Sequence, residues 1–187
     1  LTMNSGAITS IGVGNPNPGF INGKLVNTVA SASLTTVYFP IGKVSAGVAT
    51  WRPCELSVTN SDATSTTYTG ELISSSAKDL GYTGAPQTVS NIRYWDIART
   101  GSNSVNASVK FYYKSDNGSD DEVNDYTNLT LVKSSGSTWS DIGGTATGNT
   151  SGSITSGNFT SFSKFSLGNK AGGRNVLPIT LLSFSAH

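Results

Sequence analysis

The chain has 187 residues, of which 36% are hydrophobic and only 12% are charged, and its formal net charge is +1. The length suits one domain with a hydrophobic core, and the low share of charge, with Ser, Thr, Asn and Gly in its place, is typical of exported proteins. The basic residues are scattered without a stripe that could neutralise phosphates, and no apolar run approaches the roughly 18 residues of a membrane span, so the sequence argues against a nucleic-acid binder and a membrane-spanning protein.

The first 19 residues pair small side chains with turn-formers and break at the Asn-Pro-Asn-Pro-Gly run of residues 15–19. Two interpretations fit this pattern. Residues 1–19 are either the last rung of a β-solenoid that stacks on the following domain, or only a first strand and its loop. In both cases we expect them to be the end of an upstream repeat or a linker.

Alternation with a period of two dominates residues 20–174, which is the pattern of strands that bury one face. Residues 36–41 place Val37, Phe39 and Ile41 on one side, and residues 107–113 do the same with every second side chain. Residues 91–97 are apolar on both sides, which predicts a central strand that is covered on both faces. Residues 76–80 are the best candidate for one or two helical turns.

Turn-forming residues separate these runs at near-regular spacing, as in Asp116-Asn117-Gly118 and Gly143-Gly144. The sequence therefore predicts an all-β fold for residues 20–174, an antiparallel β-sandwich of roughly eight or nine strands with jelly-roll or immunoglobulin-like topology. Residues 175–187 read as an extended linker strand leading toward a further C-terminal domain, and Pro178 suits an edge position.

Five segments carry a resemblance to a known group of proteins. The sequence LPITLLSFSA at residues 177–186 resembles the segment that precedes the C-terminal type IX secretion sorting domain in many Bacteroidetes exported proteins. Residues 19–25 with 39–43, TWSDIGG at residues 138–144 and FTSFSKFSLG at residues 159–168 resemble a module that follows adhesin-like repeats in those proteins. The resemblance implies a secreted or cell-surface structural or adhesive module, and it carries over no catalytic residue.

An acidic stretch at residues 116–125 holds five of the eleven acidic residues of the chain. Closely spaced carboxylates on a glycine-containing loop could supply the oxygen ligands that calcium takes. The spacing does not match an EF-hand, and a solvated hairpin loop is the alternative interpretation. No cofactor is certain, and calcium is the one to test; its candidate ligands are Asp116, Asp120, Asp121, Glu122 and Asp125.

Aromatic side chains could stack on the apolar faces of sugar rings. The candidates for such a ligand-binding platform are Trp51, Trp139 and Tyr112, while Trp95 lies in the most apolar strand and is expected in the core. Trp139 follows a turn and is also compatible with packing at one end of the sandwich. The three tryptophans are scattered along the chain, so the sequence leaves carbohydrate binding as an alternative.

Catalytic constellations are not apparent. Cys54 alternates with Leu56 and Val58 and is expected to be a small buried strand residue, and the single histidine is His187, so no base is at hand for a nucleophile. We therefore expect no enzyme, but a non-catalytic structural or adhesion module outside the cell or on its surface. Its expected partners are neighbouring domains of the same protein and, for the carbohydrate-binding alternative, polysaccharide or other cell-surface components.

Overall fold

A computed structural model describes residues 1–3, 8–10, 12, 19–45, 47–78, 80–83, 86–114 and 121–175. Within these residues, one 3-10 helix, Tyr126–Asn128, accompanies the strands. The strands are β1 (Thr2–Met3), β2 (Ile21–Asn22), β3 (Leu25–Val29), β4 (Thr35–Phe39), β5 (Ile41–Ser45), β6 (Val48–Trp51), β7 (Cys54–Asn60), β8 (Thr66–Ile73), β9 (Gly81–Thr83), β10 (Thr88–Val89), β11 (Tyr94–Thr100), β12 (Val105–Lys114), β13 (Leu129–Ser134), β14 (Thr138–Gly143), β15 (Thr145–Thr147), β16 (Ser151–Thr155) and β17 (Lys164–Asn169).

The described strands form three sheets. The large sheet has the order β1-β3-β8-β11-β17-β13-β14-β9, with β10 also paired to β17. The second sheet has the order β15-β16-β12-β7-β4, and a small sheet joins β2, β5 and β6. Most pairs are antiparallel, and the large and second sheets pack face to face. The predicted all-β sandwich is confirmed, but the described residues form 17 strands and not the roughly eight or nine that the turn spacing predicted.

The chain repeatedly changes sheets between consecutive strands. β3 belongs to the large sheet and β4 to the second, and the same change of sheet occurs between β7 and β8, β11 and β12, and β16 and β17. Many strands therefore find their hydrogen-bonded neighbours far along the chain: β12, for example, lies between β7 and β16. These long-range pairings place residues from all parts of the chain in one core.

The main core fills the space between the large and second sheets, and alternation builds it as expected. In β12 every second residue from Val105 to Tyr113 is buried. The ring of Phe111 lies 4.4 Å from that of Trp95 and 5.7 Å from that of Phe165, so it joins the second sheet to β11 and β17. Val37, Phe39 and Ile41 are buried on this side too, as predicted.

A second, smaller core lies on the outer face of the large sheet. Its buried members are Ala77, Val89, Val132 and Trp139, with Leu80 and Tyr94 packed against it. The segment between β8 and β11 covers this face, which explains why β13 is buried on both sides. The helical turns predicted at residues 76–80 are wrong: the described residues there form bends and a turn. The Ala77 N–H donates to Ser90 O at 3.0 Å, so this backbone bonds across the segment instead of along a helix.

The ends of the chain are only partly within the described residues. β1 pairs in parallel with β3, and Ile8 packs against the main core. Residues 4–7, 11 and 13–18, on which the solenoid interpretation depends, lie outside the described residues, as do residues 176–187 of the predicted linker strand. Within the described residues, no helix is long and apolar enough to cross a membrane.

Candidate functional site

Trp139, one of the three aromatic candidates, is enclosed in the second core. Its side chain is fully buried, and its indole N–H donates to Ala77 O at 2.5 Å. A buried tryptophan with its N–H bonded is a packing residue. Its ring therefore has no open face for a ligand, and the structure supports the sandwich-packing interpretation over the platform for this residue.

Tyr112 and Trp51 are half-buried and lie on different sheets. The Tyr112 hydroxyl donates to Glu55 Oε1 at 2.6 Å, and Lys110 Nζ lies 4.8 Å from the centre of the Tyr112 ring. Burial, followed by the hydrogen bond to Glu55, raises the pKa of Tyr112. One face of the Tyr112 ring is thus already occupied by a cation from the same strand, and the structure does not gather the three candidate rings into one platform.

Asp121, a candidate calcium ligand, lies in a buried ion-pair cluster with Arg52 and Arg93. Arg52 Nε donates to Asp121 Oδ2 at 2.6 Å, and Arg93 Nε lies 3.1 Å from Asp121 Oδ1. The Asp121 side chain is 0% exposed and both arginine side chains are 5% exposed. The backbone N–H of Lys114 donates to the same carboxylate at 3.0 Å. Both oxygens of Asp121 therefore already interact with protein cations.

Asp125 lies at the other end of the acidic stretch and is partly exposed. Its carboxylate accepts hydrogen bonds from the Asn128 amide at 2.8 Å and the Thr127 hydroxyl at 2.7 Å. These bonds lower the pKa of Asp125. Among the described residues, no group of three or more His, Cys, Asp or Glu side chains is placed to hold a metal ion. Asp116 and Asp120 lie outside the described residues. The calcium site predicted from these two residues with Asp121, Glu122 and Asp125 therefore stays a prediction.

Cys54 is fully buried at the start of β7, as predicted from its alternation with Leu56 and Val58. Burial, followed by the negative charge of Glu55, raises the pKa of the thiol far above its usual range. A thiol that holds its proton this firmly is a poor nucleophile. Cys54 is therefore a small core residue.

An open groove of about 540 Å³ lies beside the end of β11. One wall is residues 96–99 of β11, and the other is residues 160–163, which lead into β17. β17 pairs with β11 only at Lys164 and Phe165, and the last bond between them runs from Ile97 N–H to Ser163 O at 3.1 Å. Beyond that point the two segments separate, while β11 continues to Thr100. This separation creates the groove.

The groove wall mixes an aromatic ring with charged and hydroxyl groups. Phe162 is half-buried and packs against Tyr68 and Phe159, with ring centres 5.6 and 5.4 Å away. Arg99 bonds through one terminal nitrogen to Asn103, whereas its enclosed Nε–H has no hydrogen-bond acceptor among the described residues. The remaining polar side chains that line the groove are Asp96, Thr160, Ser161 and Ser163.

Neighbouring contacts hold this groove in shape. The Ser163 hydroxyl donates to Ser134 O at 2.6 Å, and Lys133 Nζ donates to Ser161 Oγ at 2.7 Å. Burial lowers the pKa of Lys133. Residues 161 and 163 are thus tied to β13, on the side away from β11.

The sequence interpretation did not include this groove. Phe162 is the signal that could have indicated it: Phe159, Phe162 and Phe165 recur every third residue and interrupt the alternation that predicts strands. β17 begins at Lys164, although the phenylalanines begin at residue 159. The end of β11 therefore has no paired strand on the side that faces residues 160–163. Asp96 and Arg99 are separated from this segment by more than 60 residues, so no local motif links them to it.

Comparisons with known proteins identify no relative: no family model matches the chain, and no curated protein or solved structure is detectably similar to it.

Proposed function

We propose that the chain is a non-catalytic structural or adhesion module of a secreted or cell-surface protein. The observation that carries this proposal is that the buried charged side chains pair with one another. Arg52, Arg93 and Asp121 come from three distant parts of the chain and pair with one another in the interior at 2.6 and 3.1 Å. Ion pairs enclosed in this way join segments that are distant in the chain and are not available to a substrate.

Two groups with shifted pKa values, Cys54 and Tyr113, also serve the fold. Burial raises the pKa of Tyr113 to about 12, and its hydroxyl donates to the carbonyls of Thr147 and Gly148. Catalytic acids and bases are normally found as clusters of perturbed groups in a cleft. In this chain the perturbed Cys54 and Tyr113 are packed inside the sandwich, which favours a scaffold over an enzyme.

The location and partners in this proposal follow from composition and resemblance. A surface with few charges and many hydroxyl groups suits an exported protein. Residues 177–186, which resemble the segment before a type IX sorting domain, support export by that route, although they lie outside the described residues. The partners that we propose are the neighbouring domains of the same polypeptide.

A turnover screen of the purified chain tests the absence of catalysis. We expect no product from a panel of polysaccharide, ester and peptide substrates, and we expect cooperative thermal unfolding. The critical variant is Asp96→Asn, because Asp96 is the carboxylate that lines the described groove. Turnover that persists through purification and disappears in Asp96→Asn would overturn the proposal.

A carbohydrate-binding module is the second candidate, and the groove beside β11 is the observation that favours it. Grooves of roughly 300–1,000 Å³ that combine an apolar surface with a few polar groups are typical of ligand sites. The groove combines the Phe162 ring with hydroxyl, carboxylate and guanidinium groups. This composition suits a ligand with both apolar and hydroxyl-bearing faces.

A further inference from the structure

We infer that the groove between residues 96–99 of β11 and residues 160–163 is a binding site for a neutral saccharide. The inference rests on the carbohydrate-binding candidate function and deepens it by naming the site and the class of ligand. Neither Trp51, Trp139 nor Tyr112 belongs to it. The site forms at the end of β11 that β17 does not pair with.

The backbone at the end of β11 supplies part of the site. In an antiparallel ladder, the N–H and C=O groups of alternate residues point to the same side. Ile97 N–H bonds to Ser163 O, so the backbone of Ile97 faces the segment of residues 160–163. The N–H and C=O of Arg99, two residues later, therefore point to the same side. Residues 160–162 no longer pair with β11 at the level of Arg99, so the described chain offers no backbone partner to Arg99 on this side. A bound hydroxyl could use this donor and acceptor.

The side chains of the groove are those that recognise sugars. A sugar hydroxyl both donates and accepts hydrogen bonds, and it can be matched by Ser or Thr hydroxyls, a carboxylate or a guanidinium. Thr160 and Ser161 are exposed, and Asp96 is partly exposed on the other wall. The Phe162 ring, held by Tyr68 and Phe159, offers a rigid apolar surface for the C–H face of a pyranose.

The charge of the groove favours a neutral ligand over a polyanion. The residues that line the groove include one carboxylate, Asp96, and one guanidinium, Arg99, so their formal charges sum to zero. Asp96 also lies in register between Glu71 on β8 and Lys164 on β17, so two acidic groups and one basic group lie side by side across this face. A uronic acid polymer would place carboxylates against Asp96 and Glu71.

The test is a titration of the isotopically labelled 187-residue chain, followed by amide NMR. The probes are neutral hexasaccharides of glucose, xylose, mannose and N-acetylglucosamine, with polygalacturonate as the anionic comparison. We expect at least one neutral probe to shift the amides of residues 96–99 and 160–163 together. Shifts confined to other surfaces, no binding by any neutral probe, or tighter binding of polygalacturonate would each overturn the inference.

Two variants, each with an exposed alanine replaced by arginine, test where the ligand binds. Ala98 is exposed and lines the groove, whereas Ala49 is exposed on β6 in the small sheet. Ala98→Arg should weaken binding of the neutral probe by about tenfold or more, and Ala49→Arg should leave it unchanged. Equal binding by both variants would show that the saccharide binds outside the groove, which overturns the inference but not carbohydrate binding itself. No binding by the unaltered chain would instead overturn the carbohydrate-binding function. The amide shifts of the unaltered chain decide the location if Ala98→Arg does not fold.

Discussion

Asp121 and Asp125 lie four residues apart in one acidic stretch, yet the fold places them in different environments. Asp121 is fully buried and pairs with Arg52 and Arg93, which precede β7 and β11. Asp125 is partly exposed and accepts hydrogen bonds from Thr127 and Asn128, its near neighbours. The comparison teaches that a run of acids in a sequence does not have one role, because the distant residues that each acid meets decide what it does.

The largest effect is expected from Asp121→Asn. This change removes the negative charge that Asp121 places beside Arg52 and Arg93, and removing one partner of a buried ion pair costs about 3–5 kcal/mol. We expect the free energy of unfolding, measured in urea, to fall by that amount. Glu122→Gln is the control, since the neighbouring acid is partly exposed and should change stability by less than about 0.5 kcal/mol. A loss below about 1 kcal/mol at Asp121 would mean that the pair behaves as a surface salt bridge.

Asn175→Ala should have the next largest effect, because it removes the side chain that holds the Asp125 region in place. The buried Asn175 amide accepts from the backbone N–H groups of Asn124 and Asp125 at 2.9 and 2.7 Å and donates to Asp125 O and Asn169 Oδ1 at 2.9 and 2.7 Å. Each buried group left unsatisfied costs about 1–3 kcal/mol. We expect a loss in that range in chemical unfolding and faster hydrogen exchange at residues 124 and 125.

The control for this variant is Asn158→Ala, at an exposed asparagine in the loop before β17. It should change stability by less than about 0.5 kcal/mol. Similar losses for both asparagines would show that the hydrogen bonds of Asn175 add nothing beyond an average polar surface contact.

A smaller, pH-dependent effect is expected from Asp125. Its folded-state pKa is lowered by Asn128 and Thr127, below the unfolded value of about 3.9. Its contribution to stability is therefore complete above the unfolded pKa and is lost as the pH falls through the lower, folded pKa. We expect Asp125→Asn to melt below the unaltered chain at neutral pH and to approach it at the acid end of the profile. A constant difference at all pH values would contradict this linkage.

The smallest effect is expected from calcium. Both carboxylate oxygens of Asp121 face arginines, so the predicted site would have to rely on the other four acids. We expect the difference in melting temperature between excess calcium and chelator to be smaller than the change that Asp121→Asn, Asn175→Ala or Asp125→Asn causes. A rise of several degrees that disappears in the double variant Asp116→Asn and Asp120→Asn would instead establish the calcium site.

Much of the main core could be predicted from the sequence. Alternation identified Val37, Phe39 and Ile41, the buried face of β12 and the burial of Cys54, because side chains of a strand point to opposite faces with a period of two. The all-β class follows from the same pattern. The apolar run at residues 91–97 placed β11 inside the large sheet, although Asp96 and Ala98 on its outer face are partly or fully exposed, and so that face is less covered than expected. These features are local, and each can be read from about seven consecutive residues.

Three features required the tertiary structure, since each joins residues that are far apart in the chain. Trp139 reaches the core that it shares with Ala77 only after the segment between β8 and β11 folds over the large sheet. The helix expected at residues 76–80 gave way to that covering segment. Asp121 pairs with two arginines that are each more than 25 residues away in the chain. The groove likewise forms between residues 96–99 of β11 and residues 160–163, which are more than 60 residues apart. The sequence by itself thus determined which side chains prefer burial and that they lie on strands; only the packing of the sheets decided which of them meet, because alternation specifies a face and not a partner.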